Sequence, residues 1–152
     1  MTLKKTPDSK ANGSSKKAVI VGCGNYGKNL AIKLAESGKQ VVIIDKNRVA
    51  LEALSELSVN SDLIVGFLGD ATLSDDLKEI EILNTDLFIA TTNSDSINAL
   101  AAQKAKLLFG VNNVICLISD VSKQKLYEQL GIRIVNYSEI IIESLIHSSL
   151  EN

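Results

Sequence analysis

Six short apolar runs recur along the chain with an amphipathic stretch between each pair, and this alternation constrains the fold more than any other feature. The runs are residues 18–21, 41–44, 63–68, 86–90, 114–118 and 132–135. Val41-Val42-Ile43-Ile44 is apolar at four consecutive positions, so it has no wet side and fits a strand covered on both faces of a parallel sheet. Between the runs, Leu30, Ala31, Leu34 and Ala35 share a helical face ahead of Gly38. Val49, Leu51, Leu54 and Leu57 mark a second helix, and the charged stretch 74–82 a short third one. Ile97, Leu100, Ala101, Ala105 and Leu108 mark a fourth helix, capped by Asn93 or Ser94 and closed by Gly110. Leu126 and Leu130 follow a capping Asp120 and end at Gly131; a last helix starts near Ser138. Six strand–helix units in strict alternation predict an α/β fold. It is a single Rossmann-like, doubly wound, parallel six-stranded sheet in the order 3-2-1-4-5-6 with right-handed crossovers.

Length and composition agree with one such domain. The 152 residues are 45% hydrophobic and 22% charged, with one proline, and a chain this long buries about 68–70% of its unfolded surface. It needs no disulfide or structural metal. Cys23 and Cys116 belong to no Cys-x-x-Cys pair, which reads as two reduced thiols. Residues 1–16 are polar, aperiodic and hold the only proline, so a disordered basic tail is expected there, with the folded domain spanning 17–152. The first 17 residues carry a net charge of +4, leaving −6 for the rest; a mildly acidic body argues against nucleic acid as a partner. No run approaches 18 uncharged apolar residues and the amino terminus lacks a signal-peptide core, so the chain is expected neither to cross a membrane nor to be secreted.

The chemistry sits after the first run. Gly22-Cys23-Gly24-Asn25-Tyr26-Gly27 reads G-x-G-x-x-G between a strand and a helix. Gly22 permits the tight turn, Gly24 lets a pyrophosphate approach the backbone, and Gly27 lets helix and strand pack closely. The helix amino terminus offers free N–H groups and a positive dipole end to phosphates. Asp45 follows Gly24 by 21 positions at the end of the second run, where it can accept from both ribose hydroxyls and repel a 2′-phosphate, favouring NAD over NADP. A plainer reading leaves the glycines only a tight strand–helix turn. Residues 22–28 also nearly spell a P-loop, but Asn29 stands where magnesium needs a Ser or Thr hydroxyl, so nucleotide hydrolysis is disfavoured and Lys28 reads as a solvated residue. Gly69-Asp70-Ala71-Thr72 and Thr91-Thr92-Asn93-Ser94-Asp95 follow the third and fourth runs. Both loops lie on the carboxyl edge where open α/β sheets bind ligands, and both suit ordinary turn and cap chemistry equally well.

GCGNYG, VVIID, GDAT, ATTNSDSIN, VICLISD and LGIRIVNYSE, in that order over residues 17 to about 147, resemble the RCK domain (regulator of potassium conductance), also called the TrkA N-terminal or KTN domain. The resemblance implies a cytoplasmic regulatory subunit, peripheral to the inner face of the cell membrane, that binds NAD, NADH or an adenine nucleotide (AMP, ADP or ATP). It also implies dimers assembling into a ring that gates a membrane potassium transporter or channel. Carried over by motif, the ligand meets Gly22, Gly24, Asn25, Tyr26 and Gly27, then Asp45 with Lys46 beside it; Asp70 and Ala71 border the base, and Thr91, Thr92 and Asn93 the phosphate or second-nucleoside side. Many members place Arg where Asn25 and Leu117 stand. Without those cations NAD(H), ADP or AMP fits better than ATP. Relatives usually continue into a small carboxyl-terminal domain, which implies a companion chain supplying it here.

Ile140, Ile141, Ile142, Leu145, Ile146 and Leu150 make the last helix more apolar than one sheet face requires. One reading turns Ile141, Leu145 and Ser149 toward the core. The other makes residues 138–150 a subunit contact, with Ile142 and Ile146 as a second stripe; the crossover helix implied by the resemblance favours the contact.

A dehydrogenase needs an acid or base beside its nicotinamide. The only histidine, His147, is five residues from the end, and Tyr26, Tyr127 and Tyr137 are followed four positions later by Leu30, Gly131 and Ile141, never by Lys. A helix dipole beside Cys23 can lower a thiol pKa, though a small residue tolerated in the turn explains it as well; Cys116 falls in a strand. The sequence thus favours a nucleotide-sensing regulatory subunit without metal or catalytic residues. The alternative is a small NAD-dependent oxidoreductase, or the cofactor domain of one completed by another chain; a third reading is a sensor of NADH against NAD.

Overall fold

The computed structural model describes residues 17–57 and 61–151. The tail expected at 1–16 and the Leu57 side chain lie outside the described residues. Strands β1 (Lys17–Val21), β2 (Gln40–Asp45), β3 (Ile64–Leu68), β4 (Leu87–Ala90), β5 (Asn113–Ile118) and β6 (Arg133–Asn136) form one parallel sheet in the order β3-β2-β1-β4-β5-β6. Between and after them run α1 (Asn25–Glu36), α2 (Arg48–Leu57), α3 (Ser74–Glu79), α4 (Asp95–Gln103), α5 (Gln124–Gln129) and α6 (Tyr137–Leu150).

The sheet is apolar on both sides because each side carries its own core. Ala18, Ile20, Val41 and Ile43 point to the side packed by Ala31 and Ala35 of α1 and Leu51 and Leu54 of α2. Val19, Val21, Ile44, Phe88 and Cys116 point to the other, against Leu77 of α3 and Ala99, Ala101, Ala102 and Ala105. Period-2 alternation along each strand assigns successive residues to opposite cores, which is why the strand runs are uninterrupted. Phe88 is the largest side chain with no exposure, and truncating a phenylalanine so placed costs about 3–5 kcal/mol.

Two expectations about helix faces fail. On α4 the buried face is Asn98, Ala99, Ala101 and Ala102, whereas Leu100 is 45% and Leu108 60% exposed. Alanines let the helix sit close to the sheet while Leu100 falls on its outer face, and Leu108 closes a π turn at Lys104–Leu108 that widens the repeat beyond α4. On α6 no residue is buried, and Ile141 and Leu145, expected inward on one reading, are exposed. The helix leaves β6 without laying a stripe on either core, since its only half-buried positions are Tyr137 and Ser138.

Register positions the functional edge. Val21 is level with Ile44 and with Ala90, and Asp45 is level with Leu68. The segments that follow β1, β2, β3 and β4 therefore emerge together at the carboxyl edge of the sheet, where β1 is flanked by β2 on one side and β4 on the other.

Candidate functional site

These segments enclose a cleft of about 330 Å³ lined by Val21, Gly22, Cys23, Gly24, Ile44, Asp45, Lys46, Asn47, Ala50, Asp70, Ala71, Thr91, Thr92, Asn93 and Ile97. Its volume falls in the range of small-molecule sites. Nine of the twelve residues anticipated from sequence meet on its wall: Gly22, Gly24, Asp45, Lys46, Asp70, Ala71, Thr91, Thr92 and Asn93. Asn25, Tyr26 and Gly27 are not on that wall. They form the first turn of α1, and the Tyr26 ring, 54% exposed, lies instead against Tyr137 at the start of α6, with ring centroids 6.3 Å apart.

The glycine turn is shaped by three different demands. Gly22 has φ +98°, a left-handed conformation that side chains resist. Gly27 has no room: a Cβ there would sit 1.8 Å from the Gly22 carbonyl oxygen and 2.9 Å from Thr91 Oγ1. Gly24 is the reverse case, with extended backbone at φ −80° and open space where its Cβ would be. It precedes α1, whose amino terminus has no side-chain cap and no acidic residue in its first turn. The first-turn amides and the dipole thus face outward uncompensated by protein, which suits an anionic ligand.

Asp45 stands across from this turn. Its Oδ2 accepts the Cys23 amide at 2.6 Å and its Oδ1 the Asn47 amide at 2.7 Å, so the carboxylate fixes the turn while lining the cleft. Asn47 caps α2, accepting from the Val49 and Ala50 amides. Beyond it, Lys46 pairs with Asp70 at 3.3 Å, which leaves the lysine charge already engaged on the cleft wall. The Thr72 hydroxyl, at 2.6 Å, and its amide donate to Asp70 Oδ1; with Lys46 they hold the Asp70 carboxyl below its usual range against partial burial. The Asp70 amide donates to Asp76 at 2.7 Å. Lys104 reaches over from the π turn to donate to the Thr72 carbonyl and to Ser74 Oγ.

On the other flank, Thr91 is buried and its hydroxyl donates to the Val21 carbonyl at 2.9 Å, fastening the β4 loop to the end of β1. Ser94 rather than Asn93 caps α4, accepting from the Ile97 amide. Asp95 accepts from the Ser119 amide and hydroxyl and from the Asp120 amide, tying α4 to the end of β5. Asp95 belongs to the loop anticipated after the fourth run, whereas Asn47, Asn98 and Lys104 are polar residues that residue patterns did not single out. These three work mainly through backbone carbonyls or amides brought near by the fold.

Cys23 is buried, its thiol donates to the Ala50 carbonyl at 3.3 Å, and burial reinforced by Asp45 pushes its pKa up. Burial and the Asp45 charge thus act in the direction opposite to the one a helix dipole would give. Among the described residues there is no group of three or more side chains able to hold a metal, and no helix is long and apolar enough to cross a membrane.

The TrkA-N domain model matches residues 18–138. The Trk system potassium uptake protein TrkA of Streptomyces coelicolor is 34% identical over 114 residues, covering 75% of this chain and 49% of that protein. Across three such relatives the chain spans 22% to 52% of their own length. Among solved structures, the TrkA-N domain of the inner membrane protein ybaL from Escherichia coli superposes with TM-score 0.74 at 19% identity, over 91% of this chain and 98% of that one. The GsuK channel bound to NAD gives TM-score 0.67 at 19% identity, over 86% of this chain and 22% of that one. With its sheet order, its glycine turn and a family match over most of its length, the chain belongs to the TrkA-N domain family.

Proposed function

We propose that the chain is a nucleotide-sensing regulatory subunit of a potassium uptake system, taking NAD(H), AMP or ADP at the cleft around Gly24. The observation that carries this is the uncapped amino terminus of α1 behind an open Gly24, with the Asp45 carboxylate on the opposite wall. That arrangement pairs an anion site with a diol acceptor, the two halves of an adenosine phosphate. Residues 22–27 would hold the phosphates through backbone N–H groups, Asp45 the ribose hydroxyls, and Asp70 with Ala71 the base side. The cleft's ionisable side chains are Cys23, Asp45, Lys46 and Asp70. Each is already engaged by a protein partner, which supports recognition over turnover. The Streptomyces relative is named as a Trk potassium uptake protein, and that name supports a membrane potassium transporter as the target.

A sensor acts by binding two arrangements of an assembly unequally. The exposed apolar residues of α6, Ile140, Ile141, Ile142, Leu145, Ile146 and Leu150, are the surface we assign to a second copy of this chain, and rings built from such dimers would dock on the transporter from the cytoplasmic side.

The test is a thermal-shift panel of NAD, NADH, NADP, AMP, ADP and ATP on the full chain. A ligand at 100 times its dissociation constant adds about 2.7 kcal/mol. Stabilisation by NAD, NADH, AMP or ADP and little by NADP is expected; no shift with any of them, or NADP equal to NAD, overturns the reading.

A further inference from the structure

We infer, on the footing of that nucleotide reading, that Asn98 is a positioning residue for the outer half of the ligand, acting through Thr92. Asn98 has no exposed surface and is not on the cleft wall, whereas Thr92, Asn93 and Ile97 are. Its amide is used in full. Oδ1 accepts from the Thr92 amide at 2.8 Å and from the Thr92 hydroxyl at 2.6 Å. Nδ2 donates to the Thr92 carbonyl at 3.0 Å and to the Leu117 carbonyl at 2.9 Å. Three of these four bonds go to one residue, so the amide, carbonyl and hydroxyl of Thr92 are all fixed by a single side chain on α4.

Thr92 is also what the glycine turn leans on. A Cβ on Gly22 would meet Thr92 Cγ2 and its backbone nitrogen at 3.1 Å, so the turn and the β4 loop are in van der Waals register. The fourth bond of Asn98 ties this loop to β5, and Asp95, three residues earlier, ties the same helix to the residues after β5. The first turn of α4 therefore holds the loops after β4 and β5 in one arrangement. These loops lie on the far side of β1 from Asp45 and Asp70, where the second phosphate and nucleoside of a dinucleotide would extend. AMP would meet these loops only indirectly, through the glycine turn, whereas a dinucleotide would lie along them.

The consequence is selective. A buried amide has no apolar substitute, because removing it strands the groups of Thr92 and Leu117 without partners. Asn98→Asp keeps the acceptor for Thr92 but sets a second oxygen against two carbonyls. Calorimetric titration of NAD and of AMP into the full chain should show Asn98→Asp weakening NAD about tenfold and AMP by less than about threefold. Thr92→Val, which deletes only the hydroxyl, should weaken NAD in the same selective sense. The double variant should bind NAD no worse than Asn98→Asp, since residues acting as one unit are not additive.

Equal loss of NAD and AMP in Asn98→Asp, or losses that add in the double variant, would overturn the assignment. Should Asn98→Asp fail to fold, Thr92→Val decides alone: an unchanged NAD-to-AMP ratio sinks the inference. Wild-type protein that binds neither nucleotide removes the functional reading and this inference with it, whereas wild-type binding with an insensitive ratio removes only the inference.

Discussion

Asp45 Oδ2 lies 2.6 Å from the Cys23 amide nitrogen, so the carboxylate on the cleft wall that we propose to meet the ribose also holds the glycine turn in shape. Substitution therefore has two effects. Asp45→Ala strands the Cys23 and Asn47 amides, and losing such bonds costs about 1–3 kcal/mol. At about 2–4 °C per kcal/mol for a domain of this size, the ligand-free melting temperature should fall by several degrees. The nucleotide-induced rise should vanish as well. Differential scanning calorimetry with and without NAD separates the two; retention of the full NAD shift in Asp45→Ala would remove Asp45 from the site.

Gly24 and Gly27 look alike in the motif and should behave oppositely. At Gly24 nothing lies within 4 Å of an added Cβ and φ is −80°, so Gly24→Ala should stay within about 0.5 kcal/mol of the wild-type stability. The methyl group would occupy the approach of the phosphates and weaken nucleotide binding about tenfold or more. At Gly27 the added carbon would lie 1.8 Å from the Gly22 carbonyl oxygen, and relieving that clash should cost about 3 kcal/mol. Urea unfolding of the two variants without ligand checks the contrast; a Gly27→Ala protein as stable as Gly24→Ala contradicts the packing.

Most of this fold was legible because the alternation that announces it is made of buried residues. Val41, Ile43 and Ile44 sit in the sheet with at most 1% exposure, and covered strands leave no polar positions to blur the pattern. The glycine turn and Asp45 were legible because their spacing is dictated by one strand–helix–strand unit. Leu100 and Leu108 were misassigned because periodicity ranks residues by apolarity, while α4 packs through alanines small enough to let it close on the sheet. Asn98 was silent for another reason. Its worth depends on Thr92 and Leu117, the latter 19 positions away, and no local pattern reports a partner supplied by the next strand. The fate of α6 was ambiguous because an apolar helix has the same sequence whether it faces its own core or another molecule.

Both thiols are neutral and buried. Burial pushes Cys116 up to about 12 and raises Cys23 as well. A folded-state pKa raised above the unfolded one contributes stability that is intact below the unfolded value, about 8.5, and that is lost as pH climbs toward the folded one. Stability should therefore decline through the alkaline range above pH 9. Ellman's reagent at pH 8 should find almost no reactive thiol in the native protein and two in denaturant. A thiol that reacts at the native-state rate of a free cysteine would show that Cys23 is open.

Asp70 gives the acid limb its direction. Thr72 and Lys46 hold its carboxyl below the usual value, so this residue contributes stability that is present above about pH 3.9 and is lost as pH falls through the depressed folded value. Asp70→Asn removes that dependence. Chemical unfolding between pH 5 and pH 2.5 should show a shallower acid decline in the variant than in the wild type; parallel curves would mean that the Thr72 and Lys46 contacts do not persist in solution.

Helix α6 should be where two copies meet. Ile142 and Ile146 lie one turn apart, 55% and 54% exposed, on a helix with no buried residue. An apolar stripe of this kind left in water is a liability that association removes. Because neither side chain supports its own core, Ile142→Glu with Ile146→Glu should leave the monomer fold within about 0.5 kcal/mol of wild type. It should nevertheless abolish self-association and the concentration dependence of the melting temperature that a dimer confers. Sedimentation velocity from 1 to 100 μM checks this, with wild type expected as dimer or larger and the double variant as monomer. Wild-type protein that sediments as a monomer across that range, with NAD present or absent, would take the second copy off α6 and leave the helix to a different partner.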